Sequence, residues 1–268
     1  MIATIDAGLQ MILYFDDELS WLIYNQDFER KERHFVRRYL RPGDVFVDAG
    51  ANIGLYTLIA ARCVGANGRV YSFEPCGKSF RRLRESVEIN HFTNVLCYQM
   101  ALSDRAGLAE LTVSLDGHDA WNTLAHPTAG KLFARETVPC MTWDELAKEH
   151  HLVGKVAMMK IDVEGWESAV LQGASETLSR PDAPVLQVEF TDQASQAAGS
   201  SCEQLFRLLE GLGYQMYVYD ALYAKLIRER LRDAYPYSNL IAAKNEDRVM
   251  ERIHQCHARY TRESLFSV

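Results

Sequence analysis

Three carboxylates and a lysine stand where apolar runs end. The run VAMMKI at 156–161 leads into Asp162-Val163-Glu164-Gly165, and the run VLQVEF at 185–190 carries Glu189, with Asp192 shortly after. In a strand, alternation sends Lys160 and Asp162 to one side and Ile161 and Val163 to the other. Carboxylates in such a place can take a proton from a hydroxyl, and a positioned base contributes ~10²–10⁴-fold to a rate. We read Asp162 as the general base, Glu164 as assisting or orienting it, and Lys160 as the cation that holds Asp162 ionised. Structural roles compete with these. Asp162 could cap a helix starting near Gly165, Glu164 could serve that helix's dipole, and Lys160 could pair with Glu189. An oxygen-rich set of Asp162, Glu189 and Asp192 would also suit Mg²⁺, which polarises a hydroxyl directly.

A second constellation lies earlier. The segment Asp44-Val45-Phe46-Val47-Asp48-Ala49-Gly50-Ala51-Asn52-Ile53-Gly54 reads as an apolar strand, a tight turn and a helix start. Gly50 lets the backbone turn and approach a ligand without a Cβ in the way, and Gly54 permits close packing of helix and strand. The N-terminal end of the helix favours a negative group. The string from Gly50 is not the dinucleotide fingerprint G-x-G-x-x-G, which counts against a nicotinamide oxidoreductase. Asp48 would repel a pyrophosphate but attract an ammonium. A ligand carrying both an ammonium and a carboxylate, such as the amino-acid end of S-adenosylmethionine, fits both features. Glu74 closes the next apolar run, about 20 residues past the turn, where an acid can accept both hydroxyls of a ribose. Ser103 and Asp104, after the third run, are placed at the adenine edge, although a Ser-Asp pair also makes an ordinary loop.

These residues need a scaffold. Strands are expected at 45–49, 69–73, 95–100, 156–161 and 185–190, with helices at 53–64, 77–90, 165–178 and 201–212. Short apolar strands alternating with helices mean a parallel sheet covered on both faces. Residues 214–219 and 239–243 lack a helix between them, so an antiparallel strand is expected there. Residues 107–114 read as a strand in an excursion. We divide the chain into an N-terminal helical lead-in (1–43), a main domain (44–243) and a C-terminal helical tail (244–268). The tail can bury Val249, Ile253, Cys256 and Tyr260 on one side.

The chain has 268 residues, 48 % hydrophobic and 24 % charged, with a net charge of −7. That is enough chain for a large core, and the acidic balance argues against a nucleic-acid partner, which needs a basic face. The six cysteines form no C-x-x-C pair and read as free thiols in a reducing compartment. The N-terminus does not read as a signal peptide, and no apolar run reaches the ~18 residues of a bilayer span. We expect a cytoplasmic protein, with a homodimer left open.

DAGANIG (48–54), FEP (73–75), ALSD (101–104) and KIDVEGWE (160–167) together resemble the FkbM family of methyltransferases, over about residues 40 to 190. The resemblance implies a Rossmann-like class I methyltransferase fold with a mostly parallel, seven-stranded sheet and helices on both faces. It implies S-adenosylmethionine as donor and O-methylation of a small-molecule or glycan acceptor. It carries cofactor roles onto Asp48, Gly50, Asn52, Gly54 and Glu74. Family acceptors include sugar hydroxyls of glycans and glycolipids and ring hydroxyls of polyketides.

Two stretches outside the core bear on the acceptor. Residues 115–136 place Trp121 among Asp116, His118, Asp119, Asn122 and His126. An aromatic platform with polar neighbours suits a sugar, so Trp121, His118, His126 and Glu189 are assigned to the acceptor, and either histidine could replace Asp162 as base. Residues 221–237 carry Lys225, Arg228, Arg230 and Arg232. That patch could meet an anionic carrier, or simply be a solvated helix with internal ion pairs. His254 and His257 flank Cys256 but lack a further pair, and read as a solvated helix face. A binding module that keeps the nucleoside site without turnover is the remaining alternative.

Overall fold

The structure is a computed structural model that describes residues 1–16, 18–26, 28–114, 123–124 and 133–255. The chain opens with a hairpin, β1 (Ile2–Ile5) antiparallel to β2 (Leu9–Ile12). Helices α1 (Glu18–Tyr24) and α2 (Arg30–Tyr39) follow. The lead-in therefore differs from the expected helical segment. Its first residues alternate in burial, with Ala3, Ile5, Leu9 and Met11 inward, which is the two-residue period of a strand.

The expected alternation then begins. β3 (Val45–Ala49), α3 (Leu55–Val64), β4 (Arg69–Phe73), α4 (Gly77–Ile89) and β5 (Val95–Tyr98) come in turn. An excursion follows, in which β6 (Ala101–Leu102), β7 (Gly107–Ser114) and β8 (Phe133–Met141) make a three-stranded sheet in the order β6-β8-β7. The chain returns through α5 (Trp143–Glu149), β9 (Val156–Ile161), α6 (Glu167–Gly173), α7 (Ser175–Ser179), β10 (Val185–Phe190), α8 (Asp192–Ala197) and α9 (Cys202–Gly211). It closes with β11 (Gln215–Asp220), β12 (Lys225–Arg228), β13 (Ser238–Ala243) and α10 (Glu246–Gln255), which buries Val249 and Ile253. The helix expected at 165–178 is two short helices meeting at Ala174.

The main sheet runs β12-β11-β13-β10-β9-β3-β4-β5. β3, β4, β5, β9 and β10 are parallel, and β13 is reversed against both β10 and β11. This is a Rossmann-like, mostly parallel sheet of the expected seven strands with an eighth at its edge. The added strand, β12, comes from the 221–237 stretch, which is a hairpin with β11 and not a helix. Apolar residues of α2, α3, α4 and α10 cover one face of the sheet, and those of α5, α6 and α9 the other. No helix among the described residues is long and apolar enough to cross a membrane. The five described cysteines are free thiols.

Register sets up the chemistry. Ser72 pairs with Asp48, Asp48 with Lys160, and Lys160 with Gln187. These four polar residues form one row across four strands, on the face under α3, and all are buried. Helix α3 partners the row from above, leaving one oxygen each of Asp48 and Gln187 without a partner. The Thr57 hydroxyl donates to Asp48 and lies 2.7 Å from the Ser72 hydroxyl, while Gln187 Nε2 donates to the Tyr56 hydroxyl. Buried polar groups this closely arranged fix the register, because a one-residue slip would bury them without partners.

Candidate active site

A cavity of about 320 Å³ opens at the C-terminal ends of the parallel strands, where ligands of open α/β sheets bind. Its floor is the glycine turn. Gly50 and Ala51 donate their N–H groups to the Phe73 carbonyl at 3.0 and 2.9 Å, which clips the turn to the end of β4. Gly50 has φ +79°, and a Cβ there would lie 1.8 Å from the carbonyl oxygen of Asp162. Asp162 in turn donates its N–H to the Ala49 carbonyl. Turn and catalytic loop thus touch through backbone alone.

Glu74 lines the cavity beside this turn. Its two oxygens accept the N–H groups of Asn52 and Cys76 at 2.8 and 2.9 Å, which aims the carboxyl. Burial raises its pKa to about 7 against the pull of those two donors. Asn52, at φ +47°, also lines the cavity, and its side-chain oxygen is buried without a partner. Glu74 and Asn52 thus present polar groups suited to a ribose. Ile53 and Leu55, at the start of α3, line the cavity too, so the positive end of that helix faces it.

The geometry places the other expected cofactor residues off the cavity wall. Asp48 is fully buried beneath the turn, held by Thr57, and is absent from the cavity wall. It shares a face with Lys160 but is covered there by Thr57 of α3. Gly54 is likewise off the wall; a Cβ there would meet Leu83 of α4 at 2.7 Å, so its role is helix packing. Ser103 and Asp104 do not line the cavity either. Ser103 accepts the Trp166 indole N–H and donates to Asp104, because the chain has already turned into the small sheet. Ala101 and Leu102 line the cavity in their place.

The acidic end holds Lys160, Asp162, Glu164 and Glu189. Lys160 donates to Asp162 at 2.8 Å and lies over the Tyr56 ring. Burial works against its charge, but Asp162, Asp48 and Glu29 together raise its pKa. Lys160 therefore pairs with Asp162 and not with Glu189. Burial, with Asp162 and Glu167 nearby, pushes Glu164 well above the usual carboxylate range. Burial, with Glu164 and Asp162 nearby, does the same to Glu189. Burial and crowding thus favour the neutral form of those two, while Asp162 is ion-paired.

Asp162 does not cap the next helix. No side chain caps it; Glu167, its first residue, accepts the N–H groups of Val163 and Gly165 at 3.0 and 3.1 Å and so fixes the loop before it. Asp192 is also withdrawn from the expected metal set. It is tied to Tyr235, accepting its N–H and donating its own to the Tyr235 carbonyl. Asp162, Glu164 and Glu189 instead bring one oxygen each within 4.8 Å of one another. The arginines and lysine of 221–237 do not line the cavity. Arg232 pairs with Glu229, and Arg228 lies over Tyr217. His118, Trp121 and His126 lie outside the described residues, as do Cys256, His257 and Tyr260. Thr123 and Leu124 of that loop do reach the cavity.

Sequence reasoning missed Glu29. It sits at φ +47° just before α2. Its carboxyl accepts the hydroxyls of Tyr56 and Tyr237 and the side-chain amide of Asn239. Burial raises its pKa, opposed by Lys160. In a string as charged as FERKERHF it reads as a solvated glutamate, and only the third dimension brings its partners together.

The family model described as "Methyltransferase FkbM domain" matches residues 48–216. The 31-O-demethyl-FK506 methyltransferase FkbM of Streptomyces tacrolimicus is 40 % identical over 80 residues, covering 30 % of this chain and 29 % of that protein. The hexuronic acid methyltransferase AglP of Haloferax volcanii is 28 % identical over 162 residues, covering 59 % of this chain and 63 % of its own. The chain thus spans less than two thirds of either relative. A solved FkbM methyltransferase structure from Methylobacillus flagellatus superposes at a TM-score of 0.45 with 15 % identity, covering 87 % of this chain and 55 % of that one. With the family model matching well over half its length, the chain belongs to the FkbM family of methyltransferases.

Proposed function

We propose that the protein transfers the methyl group of S-adenosylmethionine to a neutral hydroxyl, that of a sugar in a glycan, glycolipid or glycosylated metabolite. The observation that carries this reading is the Lys160–Asp162 ion pair on the wall of the cavity that also holds Glu74. Glu74 and Asn52 would hold the donor's ribose, and the start of α3 would face its carboxylate. When bound, the donor supplies an electrophilic methyl on a sulfonium that leaves as a thioether. Asp162 accepts the proton of the acceptor hydroxyl as its oxygen forms the new bond to carbon. Lys160 fixes Asp162 through their ion pair, and Glu164 and Glu189 hydrogen-bond the acceptor and orient it. Alignment within the cavity can contribute ~7–11 kcal/mol to lowering the barrier.

Neutrality of the acceptor follows from the wall. The cation at this end, Lys160, is already paired, and an anionic acceptor would face Asp162. The name of the Haloferax relative, which specifies a hexuronic acid, supports a sugar but not a neutral one. The name of the Streptomyces relative, together with the cavity-lining Leu19, Leu22 and Phe28, favours a second reading, a polyketide or other non-sugar alcohol. A divalent cation at Asp162, Glu164 and Glu189 is a second version of the mechanism, favoured by the buried Oε2 of Glu189, which has no partner. The test is transfer of labelled methyl from the donor to a panel of glycosides, glycolipids and polyketide alcohols, with and without a chelator. Turnover of non-sugar alcohols alone rejects the sugar, and loss of turnover with chelator, restored by Mg²⁺, selects the cation version.

A further inference from the structure

We infer that the end of β10 is a second hydroxyl subsite, in which Glu189 and Thr191 bind the hydroxyl next to the one that Asp162 deprotonates, so that the acceptor presents a vicinal diol. This rests on the hydroxyl-acceptor reading and narrows it to alcohols with an adjacent hydroxyl. Among the described residues on the cavity wall, three buried side-chain oxygens have no hydrogen-bond partner: Asn52 Oδ1, Glu189 Oε2 and Thr191 Oγ1. Asn52 stands beside Glu74, on the side assigned to the donor. The other two stand together at the opposite end, and Glu189 is only 5 % exposed. Buried polar atoms are paired in folded proteins, and each exception needs a reason. At a cavity, the reason is a ligand that supplies the partner.

The backbone puts the two oxygens on one side. Thr191 follows β10 and is still extended, at φ −136° and ψ 111°. Its side chain therefore falls on the side of Glu189, while Phe190 between them packs against Phe206 and Tyr235 on the other face. Thr191 is also the N-cap of α8, where a threonine ordinarily accepts from the free N–H groups of the helix. It makes no such bond and lines the cavity instead. In the parallel ladder Val188 stands opposite Ile161, which brings Glu189 abreast of Asp162. One oxygen of each lies within 4.8 Å of the other. Gauche hydroxyls on adjacent ring carbons stand about as far apart as hydrogen-bonded oxygens, ~2.8 Å. Such a pair spans the gap with one hydroxyl on each carboxyl. A lone alcohol on Asp162 would leave Glu189 Oε2 and Thr191 Oγ1 unpaired. An adjacent hydroxyl completes both, donating to Glu189 and accepting from Thr191. A cation on Asp162, Glu164 and Glu189 would account for Glu189 and leave Thr191 unexplained.

The test titrates trans-1,2-cyclohexanediol, trans-1,4-cyclohexanediol and cyclohexanol, followed by ligand-observed NMR, into the full chain saturated with S-adenosylhomocysteine. The 1,2-diol should bind at least about 10-fold tighter than either other alcohol, as expected for a hydroxyl that completes two buried groups. Thr191→Val keeps the side-chain shape, removes the hydroxyl and should lose most of that advantage. Thr191→Ser restores the hydroxyl and should keep it. Affinity for S-adenosylhomocysteine, measured beside each titration, reports that the variants are folded. Equal binding of the 1,2-diol and cyclohexanol, or an advantage shared by the 1,4-diol, would overturn the proposal. So would an advantage that survives in Thr191→Val, or one that Thr191→Ser also loses. An advantage that a chelator removes and Mg²⁺ restores overturns it as well, since a cation would then hold the diol. All of these results leave Asp162 as the base untouched. If none of the three alcohols binds to protein that holds S-adenosylhomocysteine, the subsite and the hydroxyl reading fall together.

Discussion

The ammonium of Lys160 lies 2.8 Å from Oδ2 of Asp162 and 4.7 Å from the centre of the Tyr56 ring. Lys160 also stands opposite Asp48 in the register of the sheet. One buried cation therefore serves a covered acid beneath the glycine turn and an open acid on the cavity wall. Under the proposed mechanism, the first holds the site together and the second takes the acceptor's proton.

Asp162→Asn preserves the shape of the side chain and removes its capacity to take a proton. Turnover should fall ~10²–10⁴-fold. Donor affinity should stay near wild type, because Glu74 and the turn are untouched. Rapid-quench single-turnover measurement with labelled donor, beside calorimetry of S-adenosylhomocysteine, separates the two. Near-normal turnover would remove Asp162 as the base.

Glu74 gives a prediction with a sign in pH. Its folded pKa is raised to about 7, above the ordinary value. Stability from the neutral carboxyl is therefore full at low pH and is lost as pH rises through about 7. Ribose hydroxyls donating to the carboxylate favour its charged form, so donor binding should release a proton near neutral pH. Affinity should then weaken as pH falls below about 7. Glu74→Gln should abolish that pH dependence and weaken binding by ~1–3 kcal/mol. Calorimetry in buffers of different ionisation enthalpy reads the proton directly, and identical heats in all of them would refute the ribose assignment.

Glu167 holds the catalytic loop through the N–H groups of Val163 and Gly165. Glu167→Ala leaves both donors buried and unpaired, a loss of ~1–3 kcal/mol. Glu167→Gln keeps one acceptor oxygen and should recover much of it. Chemical denaturation of the three proteins tests the order. Equal midpoints would show that the loop is held by other means.

The sheet was legible in the sequence because its strands are short apolar runs closed by Asp48, Glu74 and the Lys160–Asp162 pair. Their ends are where a parallel sheet must place its ligand. What could not be read was which way a strand-end acid points once a helix covers it. Asp48 and Asp162 both stand at strand ends, yet Thr57 of α3 covers the first and leaves the second open. The same limit applied to 221–237, where Arg228, Glu229 and Arg232 suggest a charged helix. Pairing with β11 made a strand of Lys225–Arg228, since edge pairing is a tertiary outcome that local charge does not reveal. Glu29 was invisible for a related reason: its partners lie about 30 and 200 residues away.

Two glycines allow the turn's geometry to be tested by comparison. Gly8 and Gly50 have nearly the same φ, +78° and +79°. An alanine at either position adopts the left-handed region at a loss of ~1–2 kcal/mol. Around Gly8 a Cβ meets nothing within 4 Å, whereas at Gly50 it would lie 1.8 Å from the Asp162 carbonyl oxygen. That oxygen is backbone, between the ion pair and the loop that Glu167 fixes, so it has little room to move. Gly50→Ala should therefore destabilise by ~1–3 kcal/mol more than Gly8→Ala, the usual range for overpacking. It should also displace Asp162 and lose binding of S-adenosylhomocysteine, which Gly8→Ala should keep. Paired denaturation curves and donor titrations measure both effects. Equal loss of stability in the two variants, with donor binding intact in both, would show that the turn and the catalytic loop are not in the contact described.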